Sequence, residues 1–586
     1  MWPVPSNMLA IRALQATRKL HLPTYVATRF FVDSIVGYQD SSWSYVTIPR
    51  KYPMRKQGQF LVSKKLKKIL ENGCCEYRDF LVSSPSTALT ESLILAYLSQ
   101  ESSFHKENYI YSYRWPNNTE ECPYNFEHYI NGYKCRNNDI LNLLLDNSNN
   151  IVIVSDIENF YPSINQETVL KKFNQALKDT KIQDSIKVTA LKFIEHLFNY
   201  YPDGKGIPIG PEISHILADF ALSTIDTTLS AQFPGRYFRY VDDIVLVVDN
   251  DKKNSVIEML ENLASDEGLT IHPQKTDCLS GSEWLTYGPH TQHQVRRNSF
   301  ESLVFFIKVF LLTHRNREDE LATSLLEEGF SLPISRLTSK SRESNFFGNF
   351  KYLLERRWNI AWQAWKIRKK DLIKMAREVR NEVKRELYDI LLEKPPENKT
   401  RKKWFLQRLR YLTNRSIYLF PPNELTHLVE HLSPFPEFQD TIALINLLVK
   451  DSYKDILGMP GPVLNTAASL LRQANRKLPP ITLDSHSDQV IIDSVSILLL
   501  FGVVDLQRNA LIKVNQTTSE LLQFCANQPK SSDMQLIQDF SYINEIRTLQ
   551  YPHLHDSYVN ILETRFSDLE SPVLDALDIG GGYLSW

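Results

Sequence analysis

Along residues 141–290 the apolar positions follow two alternating periods. Ile151-Val152-Ile153-Val154 is a short β-branched run with the length and composition of a buried strand. Glu167 to Ala176 and Gln183 to Phe198 carry helical spacing, and Pro208 to Leu229 reads as a loop feeding a helix. Tyr237 to Val248 is a strand broken by two acids, and Lys252 to Asp266 is an amphipathic helix. This order predicts an α+β sheet with helices on one face. Past about residue 295 strands largely vanish. Leu, Ile and Phe recur at helical spacing over 324–330, 376–392, 425–432, 469–474 and 536–549, with breaks expected at Pro395-Pro396, Pro421-Pro422 and Pro479-Pro480. The second half is therefore predicted to be all-α, and since no fixed-period repeat is visible a HEAT-like solenoid stays an open alternative. Residues 1–140 are mixed and basic, punctuated by Pro, Tyr and Asn, and yield no clear element. The expected division is 1–140, 141–295 and 296–586.

Composition narrows the class. With 42% hydrophobic and 23% charged residues among 586, the chain is neither disordered nor fibrous. Six cysteines form no CxxC pair and no His-containing zinc spacing, so reduced thiols are expected in a cytoplasmic protein. The longest apolar run, Val495 to Val504, is about half of a bilayer span, so no membrane partner is expected. Arg12, Arg18, Lys19 and Arg29 precede the first acid, Asp33, without an apolar signal core, and predict an ordinary amphipathic start.

The net charge of −1 hides an asymmetry: residues 336–415 hold 23 Lys and Arg against 9 Asp and Glu. Aromatics such as Trp358, Trp362, Trp365, Trp404 and Phe405 interleave with Lys366, Arg368, Lys369, Lys370 and Arg401, Lys402, Lys403. That mixture suits phosphate neutralisation with base stacking, and equally a solvated helix face over an aromatic core.

Candidate chemistry lies in three acids. Asp156 follows the 151–155 run directly, and Asp242 and Asp243 sit between two apolar runs. Two adjacent acids in a straight strand would bury one carboxylate without a partner, so a tight hairpin turn at Val241 to Asp243 is predicted. Three carboxylates at strand ends would then converge as hard oxygen ligands for Mg²⁺, and two such ions about 4 Å apart serve in-line phosphoryl transfer.

Tyr240-Val241-Asp242-Asp243 together with Asp156 resembles the palm of a reverse transcriptase. The stretch from Gly206 to Leu222, with Ile225-Asp226, resembles that family's loop and helix under the incoming base pair, and Gly268 to Thr276 resembles its lysine motif. The Gly-Ile-Pro-Ile-Gly-Pro wording at 206–211, the lack of an integrase or RNase H-like extension and the long helical half resemble the bacterial abortive-infection (AbiK-like) and defence-associated reverse transcriptases. The resemblance implies a fingers–palm fold and a nucleotidyltransferase that makes DNA from dNTPs with two Mg²⁺ ions, Mn²⁺ being a substitute. It further implies antiphage defence, synthesis on RNA or without a template, a protein primer covalently joined to the DNA product, a non-coding RNA partner and a homo-oligomer. Asp156 and Asp242 would be the principal metal ligands, with Asp243 a lesser one and the Ile157 carbonyl a backbone ligand. Tyr161 falls at the aromatic gate against the ribose 2′-OH, Lys275 beside the leaving pyrophosphate, and Arg78 at the fingers arginine that grips triphosphate. Ile209 and Gly210 fall near the nascent base pair, with Ile209 where many relatives carry Gln, and His215 where defence relatives often carry Arg. Tyr583, behind Gly580-Gly581-Gly582, is the candidate primer hydroxyl, the alternative being an apolar plug with Leu584 and Trp586. An RNA-dependent RNA polymerase and a non-catalytic nucleic-acid-binding scaffold on the palm are the competing functions.

Overall fold

The computed structural model describes residues 6–28, 60–69, 75–117, 122, 124–273, 275–289, 299–337, 362, 365–450, 452–459, 461–483, 487–505, 514 and 516–526. Its strands are β1 (Phe60–Ile69), β2 (Cys75–Ser83), β3 (Ile151–Ser155), β4 (Tyr237–Tyr240), β5 (Asp243–Val248) and β6 (Asp277–Ser280). The last four form one sheet in the order β4-β5-β3-β6, antiparallel throughout. The acid-broken strand is a hairpin, with Tyr240 paired to Asp243 across Val241-Asp242.

Side chains alternate across β5. Ile244, Leu246 and Val248 face a core built with the helices Gln166–Lys178, Asp184–Phe198, Ile213–Gln232 and Lys253–Asp266. Val245 and Val247 face a second core with Tyr133 and Leu144 of helix Tyr129–Asp146, Trp284 of helix Gly281–Tyr287, and Trp404. Helices thus cover both faces instead of the expected one. The unbroken apolar runs of β3 and β5 leave no polar face, and the second cover comes from helices at the two ends of that window and from Trp404 beyond it.

β1 and β2 form a separate antiparallel hairpin with an irregularity between Leu66 and Lys68. Lys64 stands opposite Asp79 and Lys67 pairs with Glu76 at 2.6 Å, so these two of the four lysines that hide the strand from a hydropathy pattern meet an acid on its partner. Ser63 donates to Asp493, and Tyr77 donates to the Gly458 carbonyl at 3.2 Å. These contacts fasten the hairpin to the helical half. That half runs from helix Ser299–Thr313 to helix Gln516–Cys525, and its core also takes in Leu9, Ala13 and Leu14 of helix Ser6–Leu20 with Leu89 and Leu93 of helix Pro85–Leu98. The three proline pairs fall at helix junctions. The 495–504 run begins in the buried helix Gln489–Leu500, and among the described residues no helix is long and apolar enough to cross a membrane. Cys122, Cys135, Cys278 and Cys525 are free thiols.

Among the described residues, several cations of the basic segment pair with acids outside it. Lys369 meets Glu320, Arg377 meets Glu328, Lys384 meets Glu424, Arg401 meets Glu283 and Arg410 meets Asp440. Trp404 and Phe405 are core residues, while Trp362 and Trp365 are exposed, with the Lys366 ammonium 5.6 Å from the Trp362 ring. The helical stretch expected at 536–549, and Tyr583, lie outside the described residues.

Candidate active site

Asp156 sits just past the end of β3. The chain beyond it bridges Ile157 to Ile271, flanked by the bonds His272 N to Asp156 O and Glu158 N to Thr270 O, both 2.8 Å. In an antiparallel pair of that kind the bridged residue turns its own N–H and carbonyl away from its partner. Ile157's carbonyl accordingly faces the β5 side, where the hairpin turn lies.

The turn itself is strained. Val241 has φ of +56°, while Asp242 is not among the residues with positive φ, the signs of a II′ turn whose first position ordinarily holds Gly. A β-branched residue there costs on the order of 1–3 kcal/mol. Two hydrogen bonds hold it: Val241 N–H donates to Ser112 Oγ at 2.9 Å, and Arg239 Nη1 donates to the Val241 carbonyl at 2.8 Å. Ser112 is delivered by residues 109–111, which run beside β4 through Arg239 N to Tyr109 O (2.8 Å) and Tyr111 N to Arg239 O (2.9 Å).

Asp156 and Asp242 are brought close enough for their like charges to repel. Asp156 is buried, with Oδ2 ion-paired to Lys275 and Oδ1 lacking a hydrogen-bond partner. Burial, then the neighbouring Asp156 and Asp243 carboxylates, push the Asp242 carboxyl well above the usual range. Asp243, buried at the start of β5, differs: burial pushes its carboxyl up, but Lys403 and Arg136 oppose the shift, with Arg136 Nη1 4.0 Å away. Arg136 is itself seated over the Tyr133 and Tyr240 rings, at 4.9 and 5.6 Å. Among the described residues no three His, Cys, Asp and Glu side chains close up to hold a metal ion by themselves. Asp156, Asp242 and Asp243 still lie near enough to act on one another's charge, with Asp243 in the strand register and Asp242 in the turn. An open pair with an orphaned buried oxygen nevertheless fits Mg²⁺, which takes few protein carboxylates and completes its shell with substrate phosphate and water.

Beneath the turn lies a buried ion cluster that the sequence reading passed over. Arg239 makes two 2.7 Å bonds to Asp226 and one of 3.2 Å to Asp219, Tyr237 Oη donates to Asp226 at 2.6 Å, and Lys106 pairs with Asp219. The available signal was an arginine between Phe238 and Tyr240 in a strand, since a buried cation requires an acid.

Of the remaining candidates, Tyr161 lies within reach of the Asp242 charge. Tyr161 Oη is 2.7 Å from His215 Nδ1, and His215 stacks on Tyr113 at 3.6 Å and 9°. Burial, with Lys106 nearby, lowers the imidazole to about 3, and burial keeps the Tyr161 phenol protonated. Ile209 offers its carbonyl to Leu81 N–H at 2.7 Å. Gly210 has φ of +124°, and a Cβ there would lie 2.0 Å from the Leu81 carbonyl oxygen, so only glycine permits the 206–211 loop to lie along β2. Arg78 stands on β2 opposite Lys65, close enough for its charge to act on Tyr201; this is the fingers hairpin, not the carboxylate cluster. Lys275 joins the acids directly.

Residues 89–301 match the family described as "Reverse transcriptase (RNA-dependent DNA polymerase)". This part of the chain is a reverse transcriptase domain, and the protein is an enzyme of the RNA-directed DNA polymerase class. Among solved structures, telomerase from Candida albicans in complex with a fragment of telomeric RNA is similar at 10% identity and a TM-score of 0.29, over 71% of this chain and 69% of that one. Apo telomerase from Candida tropicalis is similar at 12% identity and a TM-score of 0.28, over 71% and 72%. Likeness that low carries nothing about this chain's chemistry. Comparison with curated proteins finds no match.

Proposed function

We propose that the protein joins deoxynucleotides into DNA at Asp156 and Asp242, and that it belongs with the bacterial abortive-infection and defence-associated reverse transcriptases. The observation that carries the catalytic reading is the pair itself: a buried carboxylate oxygen without a partner beside a second carboxylate whose ionisation is opposed by its neighbours. Asp156, Asp242 and the Ile157 carbonyl would hold the divalent ions, which would supply charge neutralisation at the attacking and leaving oxygens. Asp243, balanced by Arg136 and Lys403, anchors the hairpin. Lys275, whose side chain is 52% exposed, can leave Asp156 for the departing pyrophosphate, donating a proton or neutralising its charge. The ring of Tyr161 excludes a 2′-OH, which selects dNTPs over NTPs. Arg78 reaches triphosphate only from the fingers side.

The subgroup assignment is supported by the 206–211 wording and the long helical half. With it come antiphage defence, a protein primer at Tyr583, assembly into a homo-oligomer and a non-coding RNA partner, for which the exposed Trp362, Trp365 and Lys366 are the best-placed surface. Incorporation of each dNTP and NTP by purified protein, with Mg²⁺ or Mn²⁺ and with or without RNA, tests the core reading. Deoxynucleotide incorporation supports it, and preference for NTPs returns the chain to the RNA polymerases. Tyr583→Phe tests priming, since protein-linked DNA made at normal yield by that variant sinks it.

A further inference from the structure

We infer that His215 sets sugar selectivity by fixing Tyr161, and that this gate shares a support with the catalytic turn. The inference rests on the polymerase reading above and adds to it a residue that positions the gate without touching the reacting atoms. A tyrosine excludes a 2′-OH only if its ring cannot swing aside, and Tyr161 is held by its hydroxyl. The 2.7 Å contact to Nδ1 joins a phenol that burial keeps protonated to an imidazole that burial keeps neutral, so the phenol donates and the imidazole proton sits on Nε2. The imidazole in turn is fixed in plane by the Tyr113 stack at 3.6 Å, and Phe126 closes its edge at 6.4 Å. Tyr113 takes this position with φ of +47°, in the left-handed region, a conformation that a bulky residue keeps only where its surroundings require it.

The support continues to the acids. One turn along helix Ile213–Gln232 from His215 stands Asp219, which pairs with Lys106, and the Lys106 ammonium lies 5.6 Å from the Tyr113 ring. Asp219 also takes Arg239 at 3.2 Å, and Arg239 holds the Val241 carbonyl at 2.8 Å. A single helix face therefore carries the residue that orders the gate and the residue that braces the turn bearing Asp242.

The test compares incorporation of dNTP and of the matching NTP by wild type, Tyr161→Phe, His215→Ala and His215→Asn. Tyr161→Phe keeps the ring and its packing and removes only the hydroxyl, so it remains informative if His215→Ala fails to fold. Loss of one neutral hydrogen bond should raise the NTP-to-dNTP ratio of kcat/KM about three- to tenfold in Tyr161→Phe and His215→Ala. His215→Asn, whose side-chain oxygen falls near Nδ1, should recover part of the selectivity. A merely structural role would lower kcat for both nucleotides alike and leave their ratio fixed. An unchanged ratio in Tyr161→Phe and His215→Ala, with active wild type, overturns the inference alone. Wild type that incorporates no nucleotide overturns the polymerase reading beneath it, and the two failures are told apart by that blank.

Discussion

Asp242 and Asp156 are adjacent carboxylates held close by the fold, so replacing either with Asn removes repulsion along with a ligand. Asp242→Asn should lower incorporation by about three orders of magnitude, the cost of several kcal/mol at the transition state, while the melting temperature stays level or rises slightly. Incorporation assays and thermal melts on the same preparation check both halves. His215 offers a pH signature of its own. Its imidazole is lowered to about 3 in the fold and titrates near 6.5 when unfolded. Between those values the unfolded chain binds the extra proton, so stability falls as pH drops from about 6.5 toward 3. From pH 7 to 5 this should remove up to about 2 kcal/mol, and His215→Asn should lack that component. Urea midpoints of the two proteins at both pH values measure it.

At the scale of elements, legibility followed local pattern. β3, the 241–242 turn and the helices after 166 were readable because unbroken β-branched runs, an acid pair that cannot be buried and 3.6-residue periodicity are each local signals. β1 was not, because Phe60-Leu-Val-Ser-Lys-Lys-Leu-Lys-Lys-Ile69 has no two-residue alternation, and the acids near Lys64 and Lys67 are supplied only by pairing with β2. The cations that face Asp243, Arg136 and Lys403, were not legible for a related reason: they come from more than 100 residues away on either side. The contact between Tyr161 and His215 was not legible, since 54 residues separate them. Two substitutions test elements directly. Gly210→Ala would drive a Cβ to 2.0 Å from the Leu81 carbonyl oxygen at a φ that alanine resists, and should destabilise by about 2 kcal/mol or more. Val241→Gly should relieve the turn and stabilise by about 1 kcal/mol. Denaturant midpoints decide each, and a neutral Gly210→Ala would show that the loop moves freely away from β2.

Across the whole molecule part of the charge asymmetry is met by pairing. Among the described residues, Lys369, Arg377, Lys384 and Arg410 of the basic segment face acids outside it. Exposed pairs of this kind contribute little individually, so double replacement such as Arg377→Gln with Lys384→Gln should change stability by less than about 1 kcal/mol. The same replacement should leave the salt dependence of RNA binding unchanged, whereas Lys366→Gln should reduce its slope by about 1. The core is less forgiving. Helix Ser6–Leu20 and helix Pro85–Leu98 share buried Leu and Ala positions with the helical half, so a chain ending at residue 296 exposes that surface and should be insoluble or protease-sensitive when expressed. A well-folded fragment by circular dichroism would contradict the shared core.

The Leu81–Ile209 bond, viewed mechanically, closes a triangle. The fingers hairpin is tied to the helical half at Ser63–Asp493 and Tyr77–Gly458, and the helical half is tied to the palm where Trp404 meets the Trp284 ring at 5.1 Å and Thr400 N–H reaches Asp277 at 3.3 Å. Leu81 N–H to the Ile209 carbonyl, at 2.7 Å, is the third side. Three bodies joined pairwise form a linkage with no free hinge, so the fingers cannot swing from the palm as a flap while all three joints hold. A swing of the fingers therefore has to open at least one of these joints, and a load placed on the distant helices reaches the palm through whichever joint stays closed.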